Sequence, residues 1–195
     1  MKVKTLFLIC FLSITCLLNA ADKPVIQIHT DNSSLIFRIA DNGRLYQSYL
    51  GKKLSHETDI SHLPHGTEAY ITHGMEDYFE PAIHILHNDG NPSLLLKYVS
   101  HETKAVSQGV NETIITLGDD KYPVTVKLHY VTYPAEDIIK TYTEISHKEK
   151  KPVVLHQYAS SMLHLNRAKY YLTEFAGDWA HEANISDQPL EFGKK

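Results

Sequence analysis

The ten residues Val124-Thr125-Val126-Lys127-Leu128-His129-Tyr130-Val131-Thr132-Tyr133 decide the fold class. Val124, Val126, Leu128 and Tyr130 share one face and Thr125, Lys127 and His129 the other, the two-residue period of a strand with one side in a core. A preceding strand-like run, Thr113 to Leu117, reaches it across Gly118-Asp119-Asp120. Downstream, Ile139, Thr141, Thr143 and Ile145 against Lys140, Tyr142 and Glu144 repeat the alternation more weakly.

The same character extends both ways along the chain. Val25 to His29 alternates, Leu35 to Ile39 follows, and Asp41-Asn42-Gly43 reads as a hairpin turn because Asn and Gly accept the positive φ such turns need. Leu45 to Leu50 is the return strand. Ile83 to His87 runs into the turn residues Asn88-Asp89-Gly90-Asn91-Pro92, after which Leu94 to Val99 resumes. Val153 to Leu165 admits a helical reading, but Pro152, the β-branched Val153-Val154 and the surrounding strands favour β. Tyr170 to Phe175 completes the series. About ten short turn-bounded strands predict an all-β, antiparallel sandwich. His56 to Glu80, polar and rich in His, Thr and Gly, is expected to be a long loop of the kind that carries ligand contacts.

The amino terminus predicts export. Lys2 and Lys4 precede the apolar run Leu6 to Leu18, and Asn19-Ala20-Ala21 offers small residues for cleavage, which together make a signal peptide over residues 1–21. The run is short for a membrane span. A lipoprotein anchor at Cys16 is the lesser expectation, since Thr15 precedes it where a small residue is usual. Both cysteines, Cys10 and Cys16, lie inside the signal, so the mature domain 22–195 is expected to fold without thiols or disulfides. Its 174 residues, left when 21 are removed from 195, suffice for one sizeable core.

Charge excludes one partner class. Losing Lys2 and Lys4 leaves 17 of the 19 basic residues against 23 acidic ones, a net charge of −6 with neutral histidines. No basic run exceeds Lys148-Glu149-Lys150-Lys151, read as a solvated turn, so nucleic acid is not an expected partner. There is no GxSxG, HExxH, GxxxxGK[ST] or helix-opening GxGxxG. His56, His62, His65 and His73 share the long stretch without metal-ligand spacing, so no metal or cofactor is expected. Glu76 and Asp77 are adjacent, and Asp178 and Glu182 flank Trp179. Neighbours on an extended backbone point to opposite sides, which argues against Glu76 and Asp77 as the paired carboxyl groups of glycoside hydrolysis. Tyr70, Tyr78, Phe79 and Trp179 are candidate sugar-stacking rings, set against ordinary cross-strand packing.

Four segments together resemble one family. They are Asn42-Gly43-Arg44-Leu45 leading to Tyr49-Leu50-Gly51-Lys52-Lys53-Leu54, YITHGMEDYFEPA over residues 70–82, Tyr133-Pro134-Ala135-Glu136-Asp137-Ile138-Ile139, and LTEFAGDWAHEAN over residues 172–184. In this order they resemble the amino-terminal domain of glycoside hydrolase family 36 α-galactosidases. The resemblance implies a β-supersandwich related to the galactose mutarotase-like fold, followed in complete enzymes by a (β/α)₈ barrel that carries both catalytic aspartates of a retaining reaction. Gly74, Asp77, Tyr78, Pro81 and Ala82 match the family pattern, while Phe79 replaces its usual Arg and Ile71 its Pro. Gly177, Trp179 and Glu182 match near the end and are expected to be interdomain or structural positions first and sugar contacts second.

The resemblance thus implies no catalytic residue in this chain, weak substrate-contact candidates in Asp77, Tyr78, Trp179 and Glu182, and a barrel partner supplied in cis or by a downstream product acting on galactosides. Homo-oligomerisation of the complete enzyme is left open. A barrel takes about 250 residues, and none follow Lys195 in the sequence, so the chain alone is expected not to cleave galactosides. Two other readings compete: a free carbohydrate-binding module, and a mutarotase-like epimerase that needs a His and a carboxylate astride a sugar ring. The Asn-x-Ser/Thr sites at Asn32, Asn111 and Asn184 are read as chance in a bacterial-type exported chain.

Overall fold

The computed structural model describes residues 23–75, 79–165 and 170–190. The expected signal peptide lies outside them. Twelve strands and one short helix make up the described structure. β1 (Val25–His29), β2 (Ser33–Ile39), β3 (Leu45–Lys52) and β4 (Thr67–Glu68) form an antiparallel sheet in sequential order, with α1 (Glu57–Ser61) between β3 and β4. β6 (Leu96–Ser107), β7 (Val110–Asp119), β8 (Val124–Tyr133) and β9 (Ile138–His147) form a second. β5 (Ile83–Leu86) pairs with β10 (Val154–Tyr158), and β11 (Tyr171–Asp178) with β12 (His181–Pro189).

The alternation in β8 is used as the sequence dictates. Val124, Val126, Leu128 and Tyr130 are buried and meet Ile26, Ile28, Leu35 and Phe37 of the first sheet in one core. Phe37 and Tyr130 join the layers with ring centroids 5.2 Å apart, an aromatic pair of ordinary spacing. The 41–43 turn is as expected: Gly43 sits at φ +80° and donates to the Ala40 carbonyl at 2.9 Å, and the Asn42 side chain accepts from the Arg44 amide. The Gly43 carbonyl receives the Tyr98 amide at 2.9 Å, tying this hairpin to β6.

Three expectations change. Val153 to Leu165 is a strand only over Val154–Tyr158; a bulge between Leu155 and Gln157 shifts its register, and the rest is irregular. His56 to Glu80 is not one open loop, because α1 and β4 lie within it and Ala69, Tyr70, Ile71 and Thr72 are buried. The Lys148-Glu149-Lys150-Lys151 stretch is not simply solvated, because the Glu149 side chain is 2% exposed. Its partner is His87, far away in sequence.

Burial is unevenly spread along the chain. The buried apolar core among the described residues runs from Ile26 to Tyr130. Ten of the sixteen large apolar side chains left exposed among the described residues lie at or after Val154.

Candidate functional site

The carboxy-terminal third presents the most distinctive surface. In the β11–β12 ladder, Tyr171 pairs with Pro189, Thr173 with Asp187 and Phe175 with Ile185, so these six side chains share a face. Tyr171, Phe175 and Ile185 are each about two-thirds exposed or more, at 67%, 70% and 69%. The opposite face carries Leu172, Glu174 and Ala176 across from Gln188, Ser186 and Asn184, four of the six polar, with Gln188 donating to Glu174 at 3.1 Å. The hairpin is therefore amphipathic, and its apolar side faces solvent. A lone two-stranded sheet is marginal in water.

At its tip, Asp178 pairs with His181 across Trp179 and Ala180. The Asp178 carboxylate accepts from the Trp179 amide at 2.7 Å, and the Trp179 ring is 92% exposed. Ala180 at φ +63° and Ala183 at φ +56° take left-handed conformations that cost a non-glycine residue about 1–2 kcal/mol each. Ala183 belongs to the bulge by which Glu182 and Ala183 oppose Gly177 alone. Trp179, Glu182, Asp178 and His181 thus stand together at an open tip. A flat ring beside carboxylates suits a sugar chemically, but no walls among the described residues enclose them.

Around the 70–82 segment the picture is mixed. Asp77 and Tyr78 lie outside the described residues, as does Glu76. Phe79 is exposed. Tyr70 is not a stacking platform: it is 2% exposed in the core, and its hydroxyl donates to the Ala159 carbonyl at 2.8 Å. Gly74 has a physical reason, since its φ is +85° and a Cβ there would lie 2.9 Å from the Ser93 Cα. Ala82 is buried, donates to the Ile71 carbonyl and accepts from the Ala159 amide.

Histidines cluster in ways the sequence did not signal. His73 and His84 stack at 3.7 Å and His156 lies 4.8 Å from His84. Burial, then repulsion from His73 and His156, holds the His84 imidazole below its usual range. No group of three or more His, Cys, Asp or Glu side chains among the described residues is placed to hold a metal ion.

Two polar networks lie in the body. His87 Nδ1 is 2.6 Å from Glu149 and its Nε2 is 3.2 Å from the Ser93 carbonyl, while Tyr122 stacks on the imidazole at 3.5 Å. Burial works to push the Glu149 carboxyl up, but hydrogen bonds from His87 and Asn88 outweigh it and hold it below its usual range. On the outer face of the second sheet, Glu112 accepts from Tyr142 at 2.6 Å, sits 2.9 Å from His129 and pairs with Lys104 at 3.0 Å. Hydrogen bonds from Tyr142, His129 and Lys104 hold the Glu112 carboxyl down at about 2. A depression of about 220 Å³ beside Met75, Leu94 and Tyr122 is small for an oligosaccharide. The Asp119 carboxylate on its edge is already occupied by the amides of Leu95, Lys121 and Tyr122.

Comparison with known proteins gives one consistent result. Residues 42–195 match the family model described as the glycosyl hydrolase family 36 N-terminal domain. Probable alpha-galactosidase G of Aspergillus terreus is 25% identical over 133 residues, covering 62% of this chain and 18% of the relative. Alpha-galactosidase C of Emericella nidulans matches with the same identity and coverage, so the chain spans under a fifth of either curated relative. The fold superposes on the GH36 α-galactosidase AgaA of Geobacillus stearothermophilus with a TM-score of 0.78 at 19% identity, over 87% of this chain and 28% of that one. For the α-galactosidase of Lactobacillus brevis the TM-score is 0.74 at 20% identity, with the same coverage. The family model runs from the turn of the first hairpin through the last one, and the chain belongs to the glycosyl hydrolase family 36 N-terminal domain family.

Proposed function

We propose that this domain is the non-catalytic amino-terminal module of an exported α-galactosidase, and that its carboxy-terminal third packs on the catalytic barrel and helps shape the mouth of the active site. The carrying observation is the split in burial: the fully buried apolar side chains among the described residues end at Tyr130, later ones such as Ile145, Ala159 and Met162 only pack on that core in part, and ten large apolar side chains from Val154 onward are exposed. Exposed apolar patches of this kind mark interfaces. The relatives are α-galactosidases several times longer than the matched region, which supplies the barrel in this reading. A complex of an AgaA variant with raffinose points to terminal α-galactosides as the substrate class of the complete enzyme. Asp77, Tyr78, Trp179 and Glu182 are the positions proposed to reach that mouth. Export rests on the leader over residues 1–21.

The epimerase alternative needs an imidazole and a carboxylate open to a sugar. The tightest such pair among the described residues, His87 and Glu149, is 0% and 2% exposed, closed to a sugar. The test is to assay the purified chain on a chromogenic α-galactoside and to read the DNA downstream of Lys195. No turnover, with a continuing frame of alternating βα units, is the expected result. Turnover by the chain alone overturns the proposal.

A further inference from the structure

Three imidazoles from three segments meet on the outer side of the β5–β10 pair. His73 precedes β5, His84 lies on β5 and His156 on β10. Ile83 and Ile85 are buried in the core, so His84 between them points outward. His73 stacks on it with ring centroids 3.7 Å apart and planes 21° apart, and His156 tilts against the His84 ring at 4.8 Å. His156 is also the extra residue of the β10 bulge, since Leu155 pairs with Ile85 and Gln157 with His84. The backbone seam around the stack is short. Four ladder pairs join β5 to β10, the His73 amide donates to the Ile83 carbonyl at 3.0 Å, and the Ala82 amide donates to the Ile71 carbonyl at 2.7 Å.

His87 and His129 each sit beside a carboxylate, Glu149 and Glu112 respectively. No carboxylate or carbonyl among the described residues holds a ring nitrogen of His73, His84 or His156. The other titratable side chains described on these segments are Tyr70, which donates to the Ala159 carbonyl, Glu80, which accepts from Gln157 at 3.0 Å, His87, which is turned inward to Glu149, and Tyr158, which opposes Ile83 in the ladder. A charge on His84 is opposed first by burial, then by His73 and then by His156.

We infer that the stack is an acid-sensitive joint: once two of its rings carry protons, like charges repel across it and loosen the hold of the residue 70–82 segment and of β10 on β5. Neutral imidazoles pack here as flat aromatic rings, whereas imidazoliums at the same spacing find no counter-charge among the described residues. His84 is held below its usual 6.5, so the folded chain binds fewer protons there than the unfolded one. The contribution of the joint is therefore complete above pH 6.5 and is lost as pH falls below it. His73 and His84 meet by their faces rather than by converging nitrogens, so the arrangement does not serve a metal ion. Under the barrel reading above, the loosened segment is the one proposed to present Asp77 and Tyr78, so acid would withdraw that contact. This consequence rests on that reading; the joint itself does not.

The test uses the full chain, with histidine ring signals followed by NMR from pH 8 to pH 5 alongside urea unfolding and amide exchange. His84 should titrate below 6.5 and move up toward it in the variant His73→Gln/His156→Gln, which removes both neighbours. The wild-type urea midpoint should fall between pH 7.5 and pH 5.5, and that of His84→Gln should fall less. Over the same interval the His73 and Ala82 amides should lose protection about tenfold, corrected for intrinsic exchange, while amides inside β7 and β8 keep theirs. The wild-type titration needs no substitution, so it decides the matter even where a variant folds poorly. Turnover of a galactoside by this chain, which overturns the barrel reading, moves none of these readouts. A His84 midpoint at or above 6.5, equal pH slopes for wild type and His84→Gln, or steady protection at His73 and Ala82 would overturn the inference.

Discussion

His87 and Glu149 meet at 2.6 Å with both side chains sealed from water, although 62 residues separate them and Glu149 sits in a run of lysines. Both imidazole nitrogens face acceptors, Glu149 on one side and the Ser93 carbonyl on the other, so both are satisfied together only when both carry protons. Asn88 adds its backbone amide to the same carboxylate at 3.1 Å. The contact fastens the turn after β5 to the segment between β9 and β10.

Removing one half of this pair strands the other in the interior. Glu149→Ala is expected to lower stability by about 3 kcal/mol. Urea denaturation at neutral pH measures it, and a loss below about 1 kcal/mol would show that the pair adds little.

Acid should act through Glu112. Its carboxyl titrates at about 2 in the folded chain against an ordinary 4.5, so its stabilising contribution is complete above pH 4.5 and is lost as pH falls toward 2. Glu112→Gln removes that dependence. The urea midpoint of the variant should therefore change less between pH 5 and pH 2.5 than that of wild type; equal slopes would contradict the assignment.

Tyr70 offers a graded test of its place in the core. Tyr70→Phe forfeits the bond to the Ala159 carbonyl and should cost about 1 kcal/mol. Tyr70→Ala opens a cavity and should cost about 3–5 kcal/mol. Thermal or urea unfolding separates the two, and a near-zero cost for Tyr70→Ala would return the ring to the surface.

Trp179 is the one tryptophan in the chain, so its fluorescence reports on the hairpin tip alone. With the ring 92% exposed, emission of the isolated chain should be that of a hydrated indole and readily quenched by iodide. Trp179→Ala should change stability by less than about 0.5 kcal/mol. A blue-shifted, protected emission in the isolated chain would contradict the open tip.

Much of the fold was legible because apolar side chains that pack against their own chain leave a periodic record. Val124 to Tyr130 reads directly as a one-sided strand, and Asn42-Gly43 reads as the turn of the first hairpin. Glu149 left no such record, since its partner is fixed by topology and its neighbours are solvated lysines. Tyr70 was misplaced because the polar residues around it hide a four-residue buried stretch. β12, His181 to Pro189, carries apolar side chains only sparsely, and neither of its faces is covered by the described chain. Trp179, Glu182, Asp77 and Tyr78 stood out first by residue type, as rings and carboxylates, but only the family resemblance ranked them above the other aromatic and acidic residues.

The placing of every fully buried apolar residue of the core at or before Tyr130 also bears on how the polypeptide matures. Synthesis delivers the amino end first, so every member of the buried cluster through Tyr130 is available before the outward-facing hairpin leaves the ribosome. The module can therefore condense while its later segment is still being made. Nascent chains stalled once β9 has emerged should already resist protease across β1 to β8, and uniform digestion of those chains would show that the last strands are required for folding.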